Sequence, residues 1–451
     1  MLRSPGRPAL AAVGCLAPTA FGQPIANDFT IEGLSSAFGE KVAIEGDEIL
    51  VNGDNQIYRF DTSDTQLPGT YDAPSGAGVI EFGTWPSGDI ALDGTTVVVG
   101  AGAEDTAGPN AGAAFVYDST GAPMSQLTSP GAEQEGRFGW AVAVDGDRIV
   151  VGAPRETTSV GRKSGAAYLF DTSSGQLIAT LLTTNDPDAV DGESDEGFGE
   201  AVAIDGGVVA VGSPEDSNFN LGPGADPGSV TFFDAQTGAK LFRVRAGDLD
   251  DFDQFGFDVA MDDGLAVIGA PFDDDNGQDS GSAYIFDVAT GNQLLKLTPS
   301  DGDTLDRFGS AVDIENGVAV VGAPLDDGNT FDVGSVYAFN ANTGDQIAKF
   351  QRSPGLSNSQ AGEDVAINSD GVIVASARTD SDFGPGGAAF VFSLPSPLDY
   401  NGDGSVDVND LISFINDYFG TQQPENDFNG DGTIDISDLI GFINEYFQQS
   451  P

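Results

Sequence analysis

A short apolar phrase recurs at intervals of about fifty residues along this chain of 451 residues, and it constrains the fold more than any other feature. Each copy has an apolar strand, a tight turn containing glycine and a second apolar strand, as in RFGWAVAVDGDRIVVGAP at 137–154. A polar residue, which we call the turn residue, ends the first strand of every copy. The seven turn residues are Glu45, Asp93, Asp145, Asp205, Asp262, Glu315 and Asn368. The repeat predicts seven copies of one structural unit, each packed on its neighbours.

The strands of these copies predict an all-β fold. A third strand follows in each copy, such as AFVYD at 114–118, and a fourth run follows most of them. The first three strands are apolar on both faces, so each small sheet needs a neighbour in front and another behind. Seven radially packed four-stranded sheets meet that need, which predicts a seven-bladed β-propeller. A linear stack is the alternative, but it needs polar end caps that the first and last copies lack.

The last copy is one strand short. No fourth run follows AFVFS at 389–393, whereas an unassigned strand-like segment, NDFTIEGL at 27–34, precedes the first copy. We predict that this segment completes the last sheet and closes the ring, which would also hide sheet edges that invite aggregation.

Two short motifs mark most copies. Phe-Gly precedes the first strand and Gly-Ala-Pro or Gly-Ser-Pro follows the second. Phe-Gly stands at 38–39, 138–139, 198–199, 255–256 and 308–309, and the proline motif at 152–154, 212–214, 269–271 and 322–324. This pattern resembles the FG-GAP repeat, the unit of the seven-bladed propeller of integrin α-subunits and of many secreted bacterial proteins. The resemblance covers roughly residues 27–393, with degenerate first, second and seventh copies, and implies a propeller domain at 23–393 without naming its ligand.

Calcium-binding blades of that family carry an acidic loop between their first two strands, where this chain has only tight turns. Acidic loops follow the proline motif instead. In the loop at 273–279, Asp273, Asp275 and Asp279 have the spacing of calcium ligands, the alternative being a solvated acidic loop.

The N-terminal residues 1–22 are typical of a secretory signal peptide. Arg3 and Arg7 precede an apolar stretch, and a small-x-small cleavage site ends at Gly22. A lipoprotein signal ending at Cys15 and a disordered tail are the alternatives. We expect a secreted, extracellular or cell-surface protein with no transmembrane segment.

Composition excludes several functions. The formal net charge of −54 repels phosphate backbones, so we expect no nucleic-acid partner. The chain has no histidine, and its one cysteine, Cys15, lies in the leader. These absences exclude a Ser-His-Asp triad and a thiol nucleophile in the processed chain, and we identify no catalytic residues.

A proline-containing linker at 394–398 precedes a last domain, which we place at 399–451. This domain contains two near-identical acidic loops, DYNGDGSVDVND at 399–410 and DFNGDGTIDISD at 427–438. Both follow the ligand order of an EF-hand loop, so Ca²⁺ is the expected cofactor. The predicted ligands are Asp399, Asn401, Asp403, Ser405, Asp407 and Asp410 in the first loop and Asp427, Asn429, Asp431, Thr433, Asp435 and Asp438 in the second. The carboxylates of each loop repel one another without a cation, so calcium binding should be coupled to folding.

An apolar pattern of helical spacing follows each loop, and the twelfth loop position is Asp rather than Glu. A loop followed by a helix, twice, resembles a type I dockerin, the module that joins secreted polysaccharide-degrading enzymes to cohesin scaffolds. The resemblance implies a small α-helical tandem EF-hand-like domain and a cohesin-like partner. Dockerins often present a Ser-Thr pair late in the loop, where this chain has Val408-Asn409 and Ile436-Ser437, which leaves the partner open.

Together these features favour an exported calcium-binding protein, in which a non-catalytic binding or adhesion propeller carries a calcium-dependent docking module. Its partner would be a cohesin-like, cell-surface or matrix protein, or a polysaccharide. The alternatives are a dockerin-bearing enzyme of polysaccharide catabolism and a structural cell-surface component. Trp85 and Trp140 occupy corresponding blade positions, where they either pack between blades or offer a platform for sugars.

Titration calorimetry of the full-length chain with CaCl₂ should show two binding sites, because the sequence holds two complete loops. The double variant Asp403→Asn/Asp431→Asn removes one carboxylate from each loop and should lose most of the heat. Equal heats for the two proteins would contradict the assignment of calcium to 399–438.

Overall fold

The computed structural model describes residues 25–26, 29–32, 38–53, 56–63, 65–72, 88–105, 107–131, 134–159, 163–183, 197–216, 227–327, 331–352, 358–377 and 387–395. Within those residues, 29 strands form seven sheets, and residues Ile25–Phe392 make one compact unit. No helix occurs in the described residues. This architecture confirms the all-β seven-bladed propeller predicted from the repeat.

Each blade is a meander that runs from an innermost to an outermost strand. Strands β1 (Ile25–Ala26) and β2 (Phe29–Glu32) precede the first blade. Blade 1 contains β3 (Val42–Glu45), β4 (Glu48–Asn52), β5 (Gln56–Asp61) and β6 (Gln66–Asp72). Blade 2 contains β7 (Ile90–Asp93), β8 (Thr96–Ala101), β9 (Ala113–Asp118) and β10 (Pro123–Leu127). Blade 3 contains β11 (Val142–Asp145), β12 (Arg148–Ala153), β13 (Ala166–Asp171) and β14 (Leu177–Leu181).

The remaining blades repeat this order. Blade 4 contains β15 (Val202–Asp205), β16 (Val208–Ser213), β17 (Ser229–Asp234) and β18 (Lys240–Val244). Blade 5 contains β19 (Val259–Asp262), β20 (Leu265–Ala270), β21 (Ser282–Asp287) and β22 (Asn292–Leu297). Blade 6 contains β23 (Ala311–Glu315), β24 (Val318–Ala323), β25 (Ser335–Asn340) and β26 (Gln346–Gln351). Blade 7 contains β27 (Val365–Ile367), β28 (Val372–Ala377) and β29 (Ala388–Ser393).

The ring is closed. Each innermost strand contacts the innermost strand of the next blade, and β27 of blade 7 contacts β3 of blade 1. The N-terminal strand β2 pairs antiparallel with β29, with Phe29 opposite Val391 and Ile31 opposite Ala389. It is therefore the outermost strand of blade 7, as the missing fourth run predicts. Strand β1, which the sequence did not predict, adds to β26 of blade 6 in parallel, with Ile25 opposite Phe350.

The two sequence motifs meet at the seams between blades. The phenylalanine of Phe138-Gly139 is fully buried in the apolar cluster between blades 2 and 3, and its ring lies 5.4 Å from that of Tyr168. A Cβ on Gly139 would lie 2.1 Å from the carbonyl oxygen of Ala113 in the preceding blade. A Cβ on Gly152, from the proline motif of blade 3, would lie 2.1 Å from the carbonyl oxygen of Gly199 in blade 4. Glycine is required at both places because the backbones of neighbouring blades touch there.

The turn residues also join neighbouring blades. The carboxylate of Glu45 accepts a hydrogen bond from the N–H of Gly94 in the next blade at 2.6 Å. The corresponding bond from the N–H of Asn316 to Asp262 measures 2.7 Å. The amide of Asn368 in blade 7 donates to the carbonyl of Gly46 in blade 1 at 2.6 Å, so these links also cross the closing seam. Burial raises the pKa of Asp262, because the bonded carboxylate lies between two blades.

Deleting residues 25–32 should destabilise the propeller, because Ile31 and Phe29 then no longer cover the seam between blades 7 and 1. A fall in Tm of about 5 °C or more is expected in thermal unfolding followed by circular dichroism. Truncation after Pro395 keeps every described strand and should leave the propeller transition unchanged. Equal Tm values for the N-terminal deletion and the full chain would contradict closure by β2.

Candidate functional site

The two ends of the propeller differ in the lengths of their connections. At one end, the turn end, tight turns join the first strand of each blade to the second and the third to the fourth. At the other, the loop end, loops join the second strand to the third, and connectors lead from one blade to the next. These loops differ in length: the loop of blade 1 spans only residues 53–55, whereas that of blade 4 spans residues 214–228. Length therefore varies at the loop end, which is where a rigid scaffold places binding residues.

Among the described residues of the loop end, three large apolar side chains are exposed. Phe252 is 57 % exposed, Leu305 50 % and Phe331 65 %. Phe252 and Leu305 lie in the connectors that enter blades 5 and 6, and Phe331 lies in the loop of blade 6. The backbone φ angles of Phe252 and Leu305 are 70° and 74°, a left-handed conformation that costs a residue with a Cβ about 1–2 kcal/mol. The same backbone conformation recurs at Glu135 and Asn358, at the equivalent connector position, so it belongs to the connector. The exposure of these large apolar side chains is what makes them candidates for partner contact.

The two connectors are held in place by their own polar groups. Asp253 accepts the N–H of Asp250, and Asp306 accepts the N–H of Asp303, each at 2.6 Å. Burial raises the pKa of Asp253 and of Asp306 to about 7. The N–H of Leu305 donates to the carbonyl of Gln278 in the loop of the preceding blade at 2.8 Å. Phe252 and Leu305 thus lie on connectors that are closed by equivalent hydrogen bonds, one in each connector.

A lysine from the outermost strand of blade 5 forms ion pairs with three carboxylates at the loop end. The ammonium of Lys296 lies 2.9 Å from Asp273, 2.9 Å from Asp248 and 2.5 Å from Asp275. Asp273 is only 1 % exposed and also accepts the hydroxyl of Tyr284 at 2.7 Å. Its burial is tolerated because a full positive charge and a hydroxyl donor face it.

The same arrangement recurs in neighbouring blades. In blade 6, the ammonium of Lys349 lies 2.8 Å from both Asp326 and Asp301. In blade 4, the guanidinium of Arg245 lies 2.6 Å from Asp216. Asp326 and Asp216 are buried and, like Asp273, follow the proline motif by a fixed spacing.

The loop predicted to bind calcium in blade 5 is therefore partly engaged by Lys296. Asp273 and Asp275 share its ammonium group, whereas the N–H of Asp279 donates to the carboxylate of Asp274 at 2.7 Å. Among the described residues, no group of three or more acidic or thiol side chains is arranged to hold a metal ion. Calcium binding by this loop stays a prediction, and the ammonium competes for the same oxygens.

Charged side chains also converge near the propeller axis. Lys41, Asp89, Asp258 and Asp364 each stand immediately before an innermost strand. The ammonium of Lys41 lies 3.0 Å from Asp364, whose second oxygen accepts the N–H of Val42 at 2.8 Å. Burial acts to lower the pKa of Lys41, but the charges of Asp364, Asp89 and Asp258 outweigh it and raise that pKa above its usual value. The charge of Lys41 therefore attracts acids from three other blades, and its ion pair with Asp364 joins blade 7 to blade 1.

One innermost strand carries an acid where the other six carry alanine. Asp313 accepts hydrogen bonds from the N–H groups of Ile314 and of Ile367 in blade 7, each at 2.8 Å. Burial raises its pKa to about 7. The corresponding residues are Ala43, Ala91, Ala143, Ala203, Ala260 and Ala366. Asp313 thus acts as an additional link between blades 6 and 7.

Trp140 packs between blades rather than standing open to solvent. It lies against the apolar cluster of blades 3 and 4, and the guanidinium of Arg137 lies 4.9 Å from the centre of its ring. Burial raises the pKa of Glu200, which accepts a hydrogen bond from Trp140, to about 7. This placement favours the packing interpretation of Trp140 over a sugar platform. Trp85 lies outside the described residues.

The leader and the acidic tail lie outside the described residues as well. The twelve predicted ligands at 399–410 and 427–438 are among them, so the calcium loops stay predictions.

Comparison with known proteins supports the repeat. A sequence model of the FG-GAP repeat matches residues 81–117, 123–170, 240–286 and 292–339. The last three segments begin at the outermost strand of one blade and end in the third strand of the next. The sequence repeat is therefore out of phase with the blade by one strand, as closure by β2 requires. Four segments of this chain match the FG-GAP repeat, and the described strands form a seven-bladed propeller.

Other comparisons add little. None of the curated proteins matches the chain. Among solved structures, the computationally designed Ika8 protein is similar over 82 % of this chain and 100 % of its own, with 16 % sequence identity and a TM-score of 0.47. Within the described part of the chain, no helix has the length and apolarity needed to cross a membrane.

Sequence reasoning did not single out the exposed apolar residues or the buried lysine sites. Phe252 and Leu305 both stand three residues before a Phe-Gly phenylalanine inside an acidic stretch, a signal that alignment of the copies would have exposed. Lys296 and Lys349 lie between apolar residues of their fourth strands, in LLKL and IAKF. Which acids they meet depends on loops that fold back from other strands, and no local pattern contains that information.

The Asp313→Ala variant should weaken the pH dependence of stability. Because the pKa of Asp313 is raised to about 7, the folded chain takes up a proton as the pH falls through 7, whereas the unfolded chain takes it up only near about pH 4. Lowering the pH from about 8 to about 5 should therefore raise Tm. This carboxyl group contributes up to about 1.4 kcal/mol to the free energy of unfolding per pH unit.

Tm measured in EGTA across that range provides the check. Alanine at position 313 should reduce the slope, and Asp370→Ala, on an exposed turn, should keep it. An unchanged slope in Asp313→Ala would show that this carboxylate does not titrate near neutrality.

Proposed function

We propose that this chain is an exported, non-catalytic binding protein whose propeller holds a partner at the loop end and whose tail is a calcium-dependent docking module. The observation that carries the proposal is the set of exposed apolar residues Phe252, Leu305 and Phe331, which we call the apolar arc. They follow one another across the junctions of blades 4 with 5, 5 with 6 and 6 with 7. Covering an apolar arc on a chain of net charge −54 removes exposed apolar area from water, which favours binding of a partner there.

The energetics of the apolar arc support binding. Covering a Phe or Leu side chain stabilises a complex by about 1.5–3 kcal/mol, and a few such anchors dominate the affinity of most interfaces. The connectors are already ordered by Asp253 and Asp306, so little conformational entropy remains to be lost on binding. A rigid apolar surface with acidic neighbours suits a protein partner at the cell surface or in the matrix.

The raised carboxyl pKa values support a non-catalytic role. An acid with a pKa near 7 is a candidate for general acid catalysis only when its oxygen can reach a substrate. The carboxylates of Asp253, Asp306, Asp313 and Asp364 instead accept backbone N–H groups from nearby residues of the same segment or from the next blade. Burial between structural elements accounts for these pKa values without an active site.

The tail and the leader complete the proposal. Two complete EF-hand-like loops at 399–410 and 427–438 support calcium-dependent docking, and the signal-like residues 1–22 support export. Where dockerins accompany enzymes, the catalytic unit degrades polysaccharide. That alternative predicts the release of reducing sugar from polysaccharide by the full-length chain, whereas a binding protein releases none.

The triple variant Phe252→Ser/Leu305→Ser/Phe331→Ser should lose partner binding. Adsorption of the labelled full-length chain to an envelope fraction of the producing cells gives the measurement. We expect a loss of about tenfold or more in apparent affinity, because three apolar contacts are removed at once. All three residues are exposed, so the fold and its Tm should be kept.

The matched control is Leu241→Ser/Leu294→Ser. These leucines are 48 % and 49 % exposed, but they lie on the outermost strands β18 and β22, away from the loop end. The control should adsorb like the unmodified chain. Equal adsorption of all three proteins would remove the apolar arc from the proposal.

A further inference from the structure

Lys296 and Lys349 bind the two connectors that display apolar residues. Asp248, which contacts Lys296, lies in the same connector as Phe252. Asp301, which contacts Lys349, lies in the same connector as Leu305. Each lysine also contacts a buried acid in the second-to-third loop of its own blade. One ammonium group thus ties together an outermost strand, a loop and a connector.

The chemistry around Lys296 is that of a cation site. Three carboxylates, from Asp248, Asp273 and Asp275, surround one ammonium nitrogen at 2.5–2.9 Å, and the three N–H groups of the ammonium can give one to each. The ring of Tyr284 lies 5.2 Å from the same nitrogen. Burial acts to lower the pKa of Lys296, but the bonds to Asp275, Asp273 and Asp248 outweigh it, so its pKa stays above the usual value and the charge persists at neutral pH.

Blade 6 repeats this arrangement at the same position. Lys349 stands opposite Tyr337 in the sheet, just as Lys296 stands opposite Tyr284. The hydroxyl of Tyr337 donates to Asp326 at 2.6 Å, and its ring lies 5.1 Å from the Lys349 nitrogen. Blades 5 and 6 therefore compensate a buried acid with the same arrangement of lysine and tyrosine.

Blade 3 has neither the lysine nor the apolar connector residue. In blade 3, the residue opposite Tyr168 is Thr180, and the connector entering that blade has Glu135 at the position of Phe252 and Leu305. The lysines thus occur in the two blades whose connectors carry the apolar arc. Blade 4 also has a cation at this position, since Arg243 stands opposite Thr231 and lies 3.2 Å from the buried Asp216. What links the two lysines to the apolar arc is therefore their contact with the connector acids Asp248 and Asp301.

We propose that the ammonium groups of Lys296 and Lys349 replace bound divalent cations at the loop end. Their ion pairs hold each connector to the neighbouring loop and keep the apolar arc in place without metal. Its consequence for binding rests on the proposed function. The two parts of the chain then respond to different conditions. Removal of calcium releases the docking tail, while the propeller keeps its binding face.

Hydrogen exchange of the full-length chain, followed by mass spectrometry in EGTA and in excess CaCl₂, tests the device locally. In the unmodified chain, segments 245–254 and 271–281 should show the same protection in both conditions. Lys296→Met should speed their exchange in EGTA by about tenfold or more, because an uncompensated carboxylate cluster opens its loops. Lys296→Arg keeps a cation and should keep most of the protection, and Lys240→Met, on the outermost strand of blade 4, should match the unmodified chain.

Two results would overturn the inference. Loss of protection in EGTA by the unmodified chain would show that metal holds these segments. Unchanged protection in Lys296→Met would show that the ammonium does not. Asp275→Asn, which removes only a half-exposed contact, should give a smaller change and serves if Lys296→Met does not fold.

Adsorption separates this inference from the proposed function. The difference in adsorption between the unmodified chain and the apolar-arc variant should persist in EGTA. The two segments could stay protected from exchange while the unmodified chain and the apolar-arc variant adsorb equally, in EGTA and in calcium. That result would support the role of the lysines and refute the binding role of the apolar arc. Protection in EGTA with a difference that needs calcium would refute metal-independent display of the arc.

Discussion

The contact of backbone with backbone at the seams between blades is the constraint on which the rest of the structure depends. At each such place a glycine of one blade faces a carbonyl of the next at a distance that no Cβ allows, as Gly152 faces Gly199 and Gly269 faces Gly309. Beside this contact a phenylalanine such as Phe138 or Phe308 fills the space where the blades diverge. Blades fixed in this way at the axis must fan outward, and seven of them complete a circle.

Closing the circle requires the first and last blades to meet as the others do. Strand β2 supplies the outermost strand of blade 7, Lys41 reaches Asp364, and Asn368 reaches the carbonyl of Gly46. These contacts join residues more than three hundred positions apart in sequence, so their loop-closure entropy is repaid only when all are made together. With the axis and the turn end so constrained, freedom to vary is left to the loops and connectors at the loop end. That is where the apolar arc and its lysines lie.

The fold could be predicted from sequence to an unusual extent, because its information is local and repeated. Alternation and glycine turns place the strands, the number of copies gives the number of blades, and the missing fourth run indicates where residues 27–34 belong. Strand β1 was missed because two residues carry no periodicity. The site was harder to predict. The spacing of Asp273, Asp275 and Asp279 predicts carboxylates that face a cation, but it does not distinguish a metal ion from an ammonium group. Only the fold brings Lys296 to two of them. The tail loops are the reverse case, since their ligands lie within a dozen consecutive residues and the prediction needs no tertiary contact.

Closure of the ring by the N-terminal strand is tested most directly by a disulfide across the closing pair. Ile31 and Ala389 stand opposite each other in β2 and β29 and share one apolar cluster. The chain beginning at residue 23 has no other cysteine, so Ile31→Cys/Ala389→Cys should form one intramolecular disulfide under mild oxidation. Ile31→Cys/Phe390→Cys, whose side chains point to opposite faces, should not. Rapid, reducible formation of the first disulfide alone is the predicted result. Failure of the pair to cross-link within one chain, or exclusive formation of dimers, would contradict a propeller closed in this way.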